Sequence, residues 1–198
     1  MNGLVVDNLC FHGKGPFSLA VGPGRCVGLS GPSGSGKTQM LRAMADLIPH
    51  TGEIVLNGVG ARTLPAHAWR KKVGFLPAEG AWWGETVGDH FSDVDAAGFM
   101  HLGLDPDVLS WDISRLSSGE RQRLSLLRLL AGRPEALLLD EPTANLDDEN
   151  TERVEALVAS YRLVHEAPVL WVSHNPDQIR RVAAGRFAFQ GGGLIQLD

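Results

Sequence analysis

The stretch Gly31-Pro32-Ser33-Gly34-Ser35-Gly36-Lys37-Thr38 decides how the rest of the chain is read. It fits G-x-x-x-x-G-K-[ST], a pattern whose glycines let successive backbone N–H groups close on phosphate oxygens. A helix starting near Gly36 would aim the positive end of its dipole at the same anion. Lys37 supplies a point charge for the terminal phosphates, and the Thr38 hydroxyl suits a magnesium ion. The flanks agree: Cys26 to Ser30 reads as a short buried strand and Thr38 to Leu47 as a helix. A chance glycine-rich turn would need neither. The stretch implies a nucleoside-triphosphate site.

With 198 residues the chain can fill one core and is too short for two ordinary domains. Its hydrophobic share of 43% and charged share of 21% are those of a soluble globular protein. The net charge of −5, without a basic block, argues against a nucleic-acid partner. Cys10 and Cys26 form neither a disulfide framework nor a metal-ligand spacing, so a reducing, cytoplasmic setting is expected. The first residues lack a basic region followed by an apolar run, and nothing approaches the ~20 apolar residues needed to cross a bilayer. Any membrane connection is expected to go through a partner.

Leu4 to Val6 and Phe17 to Val21 read as strands joined by a loop holding Gly13, Gly15 and Pro16. Glu53 to Leu56 and Val73 to Leu76 are further short strands. From Ala78 to Leu116 the pattern changes to scattered glycines, aspartates and helical fragments, the mark of a small helical subdomain set into an α/β core. Ser118 opens a helix with Leu124, Leu127 and Leu130 on one face, ending near Ala131-Gly132-Arg133-Pro134. Ala136 to Leu139 is a continuous apolar run, the sign of a parallel strand covered on both faces. Asp148 to Leu163 reads as a helix, Pro168 to Val172 as a strand and Pro176 to Ala183 as a helix. Phe187 to Leu197 reads as a hairpin turning at Gly191 to Gly193. Alternating strands and helices predict a mainly parallel, three-layer α/β domain over 1–198, with the inserted helical part at about 78–131.

Leu139-Asp140-Glu141 places two carboxylates at the C-terminal end of a buried strand, where ligands sit in open α/β sheets. Asp140 can hold magnesium and Glu141 can orient or deprotonate an attacking water. Leu116-Ser117-Ser118-Gly119-Glu120 opens the arginine-bearing helix. It reads both as a capping box, Ser117 with Glu120, and as small residues leaving N–H groups bare for an anion.

Together these segments resemble the ATP-binding cassette (ABC) ATPases, the nucleotide-binding subunits of ABC transporters. Gly31 to Thr38 matches the Walker A motif and Asp140-Glu141-Pro142-Thr143 matches Walker B with its extension. Leu116 to Glu120 resembles the signature L-S-G-G-Q, with serine for the first glycine and glutamate for glutamine. Ala144-Asn145-Leu146-Asp147 resembles the D-loop, and Trp171-Val172-Ser173-His174 the strand ending in the switch histidine. The likeness runs nearly end to end, and is nearest to small stand-alone bacterial cassettes.

The resemblance implies a P-loop NTPase fold that binds and hydrolyses ATP with magnesium. It also implies a head-to-tail dimer and an integral-membrane permease on the inner face of the membrane. Carried onto this chain, it makes Lys37, Glu141 and His174 catalytic. Thr38 and Asp140 would hold the metal. Gly31, Pro32, Ser33, Gly34, Ser35, Gly36, Lys37 and Thr38 would hold one nucleotide, and Ser117, Ser118, Gly119 and Glu120 the one bound across the interface. Asp147 would couple the two sites. Phe11 stands where an aromatic stacks on adenine, or is an ordinary core residue.

The family's glutamine after the strand at Val73 to Leu76 is missing: Pro77 is followed by Ala78 and Glu79. Glu79 carries an oxygen and is the candidate to replace that glutamine at the metal. Trp82 and Trp83 either form a groove for a partner's coupling helix or fill the small subdomain's core. His12, His90, His101 and His165 show no metal spacing, and Arg70-Lys71-Lys72 reads as a solvated face leading into a strand. Two other functions stay open: a soluble ABC protein, and a regulatory cassette with weak turnover.

Overall fold

The computed structural model describes residues 2–91 and 96–197. In chain order the elements are β1 (Leu4–Phe11), β2 (Lys14–Val21), β3 (Cys26–Ser30), α1 (Lys37–Met44), β4 (Thr51–Leu56), β5 (Val59–Gly60), α2 (Ala66–Lys72) and β6 (Val73–Leu76). Then come α3 (Ala96–His101), α4 (Ser118–Ala131), β7 (Ala136–Asp140), α5 (Asp148–Val164), β8 (Val169–Val172), α6 (Pro176–Val182), β9 (Gly185–Gln190) and β10 (Gly193–Leu197).

A six-stranded sheet in the order β10-β9-β3-β8-β7-β6 forms the middle layer, parallel except for the β9–β10 hairpin. Its strands are apolar on both sides because both faces are covered. Leu138, Leu170 and Val172 join a core with Met40, Leu41 and Met44 of α1. The alternate residues Leu137, Leu139, Val169 and Trp171 join a second core with Leu124 and Leu127 of α4 and Val154 and Val158 of α5. The period-2 alternation of a strand thus distributes one apolar run between two cores.

The first core is closed by a separate four-stranded antiparallel sheet, β2-β1-β4-β5, which supplies Leu4, Val6, Phe17, Leu19, Ile54 and Leu56. The sequence predicts β1, β2 and β4 but neither the short β5 nor the departure of these strands from the parallel sheet. It also predicts a loop between β1 and β2. Instead Phe11 pairs with Lys14 across a turn of His12 and Gly13, both at positive φ (46° and 72°). Arg70, Lys71 and Lys72 lead into β6 as expected, and they do so as the last turn of α2. Trp69 of that helix is fully buried, and its Nε1–H donates to the Met44 carbonyl at 2.9 Å, tying α2 to α1.

Between β6 and α4 the chain makes α3 and several short 3₁₀ turns, with one bridge between Thr86 and Asp112. Residues 92–95 of the expected helical insert lie outside those described. Val87, Phe99, Leu102, Val108 and Leu116 from this part merge with α4 and the parallel sheet in a single core.

Candidate active site

The C-terminal ends of β3, β8 and β7, neighbours in the sheet, deliver the P-loop, Ser173-His174 and Asp140-Glu141 to one edge. Gly31 leaves β3 at φ 141°, and a Cβ there would lie 2.9 Å from Phe189 Cβ, so the turn requires glycine. Gly36 caps α1 at φ 117° without a side-chain hydrogen bond, leaving first-turn N–H groups open toward the pocket. Lys37 is nearly buried, and its Nζ donates to the carbonyls of Gly31 (2.8 Å) and Pro32 (3.0 Å). Burial pushes its pKa down, and the Glu141 and Asp140 carboxylates push it back up.

Thr38 Oγ1 donates to Asp140 Oδ2 at 2.7 Å, joining the first turn of α1 to the end of β7. The next residue, Glu141, takes φ 50°, in the left-handed region. Its Oε1 is buried with no hydrogen-bond partner and lies 3.5 Å from His174 Nε2. Burial raises the Glu141 pKa, and the neighbouring His174 is the largest influence lowering it. Lys14, Gln39 and Ala78 complete the lining of a pocket of about 380 Å³.

This set fits a magnesium–triphosphate. Thr38 and Asp140 offer hard oxygens already in contact, and the orphaned Glu141 oxygen faces the same space. Among the described residues no group of three or more His, Cys, Asp or Glu could hold a metal. Magnesium at a phosphate site needs no such cage, since phosphate and water supply most of its ligands.

A profile of the ABC transporter family matches residues 15–144. The probable iron export ATP-binding protein FetA of Escherichia coli is 34% identical over 176 residues, covering 82% of this chain and 77% of that protein. This chain belongs to the ABC transporter family. The rice protein STAR1 is 38% identical over 178 residues, 83% of this chain and 51% of STAR1, so the chain spans about half of that relative. A solved bacterial Atm1-family ABC exporter with ATP bound shares the fold at a TM-score of 0.83 and 20% identity, over 98% of this chain and 38% of the exporter.

Two of the expected ABC site residues are corrected. Phe11 is 3% exposed, in the core beside Phe17 (ring centroids 5.5 Å apart), so of its two readings the core residue holds and it offers no face to a base. Glu79 does not line the P-loop pocket: Ala78 does, while Glu79 lines a neighbouring groove. The chain bends at Ala78 and Glu79 just past β6, and the oxygen-bearing residue falls on the groove side of that bend.

The ABC signature does not line the P-loop pocket of its own chain. Ser117 caps α4 by accepting from Glu120 N–H (3.2 Å), and Glu120 Oε2 accepts from Ser117 N–H (2.9 Å) and Ser117 Oγ–H (2.8 Å). Ser117 and Ser118 are exposed, and a Cβ on Gly119 would meet Leu146 Cδ2 at 3.1 Å. Asp147 caps α5 through the Asn150 N–H (2.8 Å), and that bond holds its carboxyl below the usual range. Trp82 and Trp83 differ in burial. Trp82 is half-buried against the second core, while Trp83 is 74% exposed.

Sequence reasoning missed three contacts. Gln122 of α4 donates to the Glu141 carbonyl (3.4 Å), Gln178 of α6 donates to Thr143 Oγ1 (2.9 Å), and Lys14 reaches the P-loop. None follows a local motif, since each joins segments far apart in the chain.

Proposed function

We propose that this chain is the ATP-binding and ATP-hydrolysing subunit of an ABC transporter, working as a head-to-tail dimer under a separate membrane permease. The observation that carries the reading is the convergence of Thr38, Asp140, Glu141 and His174 on one pocket, with the signature segment outside it. The P-loop N–H groups and Lys37 bind the phosphates, and Thr38 with Asp140 holds the metal. Magnesium held there would supply positive charge to the phosphates. Glu141, half-buried and raised in pKa, accepts the proton of the attacking water, and His174 orients that carboxylate. Ser117 to Glu120 and Asp147, outside that pocket on the same molecule, serve the nucleotide of a second copy, with Ser117, Ser118 and Asp147 exposed for it.

The permease docks in a groove of about 800 Å³ beside the helical region, lined by Trp83, His90, Arg128, Arg42, Arg70, Lys71 and Glu79. Arg128 lies between the two tryptophans, 4.7 Å from the Trp82 ring centroid and 4.9 Å from that of Trp83. His90 stacks edge-on against both rings, and burial with the Arg128 charge lowers its pKa. An exposed tryptophan held on a guanidinium is the kind of anchor that dominates interfaces. Through that permease the subunit sits on the cytoplasmic face of a membrane. Among the described residues no helix is long and apolar enough to cross one.

The test is Glu141→Gln. Turnover is expected to fall by about 10²-fold or more, with ATP still bound and the dimer persisting in ATP on light scattering. A variant with near-normal turnover would refute the assignment. A second reading, a regulatory cassette with weak turnover, draws on Ala78, which lines the pocket without an oxygen. ATPase rates measured with and without the co-purified permease separate the two.

A further inference from the structure

Lys14 lies outside every motif, yet it lines the same pocket as Lys37, Thr38 and Glu141. The tight turn at His12-Gly13 fixes where it goes. Phe11 pairs with Lys14 and its buried ring touches the loop only with an edge, Cε2 lying 3.6 Å from where a Cβ on Gly36 would stand, so the lysine is the residue that brings a polar group from the hairpin to the P-loop. Lys14 Nζ donates to the carbonyls of Gly34 (3.0 Å) and Ser35 (2.8 Å). An ammonium has three N–H donors, so one remains. Lys14 Cδ and Nζ each lie 3.3 Å from where a Cβ on Gly36 would stand, so its stem crosses the loop just before α1. The charges make the case stronger. Among the lining residues the carboxylates of Asp140 and Glu141 face a single P-loop ammonium, Lys37, whose own donors go to Gly31 and Pro32 on another part of the loop.

We propose that Lys14 is a second cation of the nucleotide site, pinning the Gly34–Ser35 carbonyls with two donors and giving its third, with its charge, to a nucleotide polyphosphate. This rests on reading the pocket as the nucleotide site. Lys14 recognises charge and ignores the base. Its contribution is partly screened because it reaches the pocket from an exposed strand end.

The experiment is calorimetric binding of ADP and of GDP, which avoids hydrolysis, across a range of salt. Wild type is compared with Lys14→Met, which keeps the stem, and Lys14→Arg, which keeps the charge. Lys14→Met is expected to weaken both nucleotides equally, by about five- to tenfold, and to flatten the dependence of Kd on salt. Lys14→Arg should stay within about twofold of wild type, because a guanidinium restores the charge. Unchanged affinity in Lys14→Met would overturn the proposal. So would a loss with an unaltered salt dependence, which marks a lysine that only holds the loop, or a loss confined to ADP, which marks contact with the base. A wild type that binds neither nucleotide defeats the site reading itself. A wild type that binds normally beside an indifferent Lys14→Met defeats the role of Lys14 alone.

Discussion

Glu141 sits at φ 50°, where a side chain with a Cβ is strained by about 1–3 kcal/mol, and it does so one residue past a fully buried strand. The strain turns its carboxylate out of line with the strand and toward His174, 3.5 Å away. Two opposed influences set its pKa, burial raising it and His174 lowering it. A general base works only when ionised. The acid limb of turnover is therefore expected above the ordinary carboxylate value of 4.5. His174→Ala removes the lowering influence, so the limb should move to higher pH while the maximal rate falls. A pH–rate series on both proteins checks this. The same shift has a sign for stability. The folded protein holds this proton more tightly than the unfolded chain, so stability present at low pH is lost as pH rises through the folded pKa. Glu141→Gln should accordingly melt higher than wild type at pH 8, and a lower melting temperature would show that burial is not the dominant influence.

At the scale of an element, α4 does two jobs with one serine. Ser117 closes a capping box with Glu120 and is also an exposed residue of the signature segment. The roles separate by substitution. Ser117→Ala should destabilise the fold by about 1 kcal/mol and Ser117→Gly by only a few tenths, since glycine is a tolerated cap. Both lose the hydroxyl, so both should weaken ATP-driven dimer formation alike if it meets nucleotide across the interface. Thermal melts and light scattering read the two effects independently. What the sequence disclosed at this scale follows from pattern length. Strands β3, β7 and β8 were legible because residues 26–29, 136–139 and 169–172 carry no polar side chain and lie beside turn residues. The separate antiparallel sheet was not legible, because alternation reveals a strand and not the sheet it joins. Phe11 was left between two readings for a related reason. An aromatic at a strand end carries no mark of which face it takes, and the two-residue turn put it in the core. Glu79 failed by one residue, out of step with the pocket.

For the whole molecule, the groove beside the helical region joins an exposed anchor to a half-buried support. Trp83→Ala should leave stability within about 0.5–1 kcal/mol, the worth of its contact with Arg128, while reducing recovery of the permease. Trp82→Ala should cost about 2 kcal/mol or more, because that ring belongs to the second core. Melting curves and pull-downs from detergent-extracted membranes distinguish anchor from support. The short run after β6 gives this layout a mechanical meaning: Ala78 forms wall for the triphosphate pocket, and its immediate neighbour Glu79 forms wall for the groove. A single peptide unit, planar and rigid about its C–N bond, is thus common to both cavities. If a permease seats in the groove as proposed, a push on that wall would tilt the plate shared with the nucleotide pocket, one amide pivoting as a rocker.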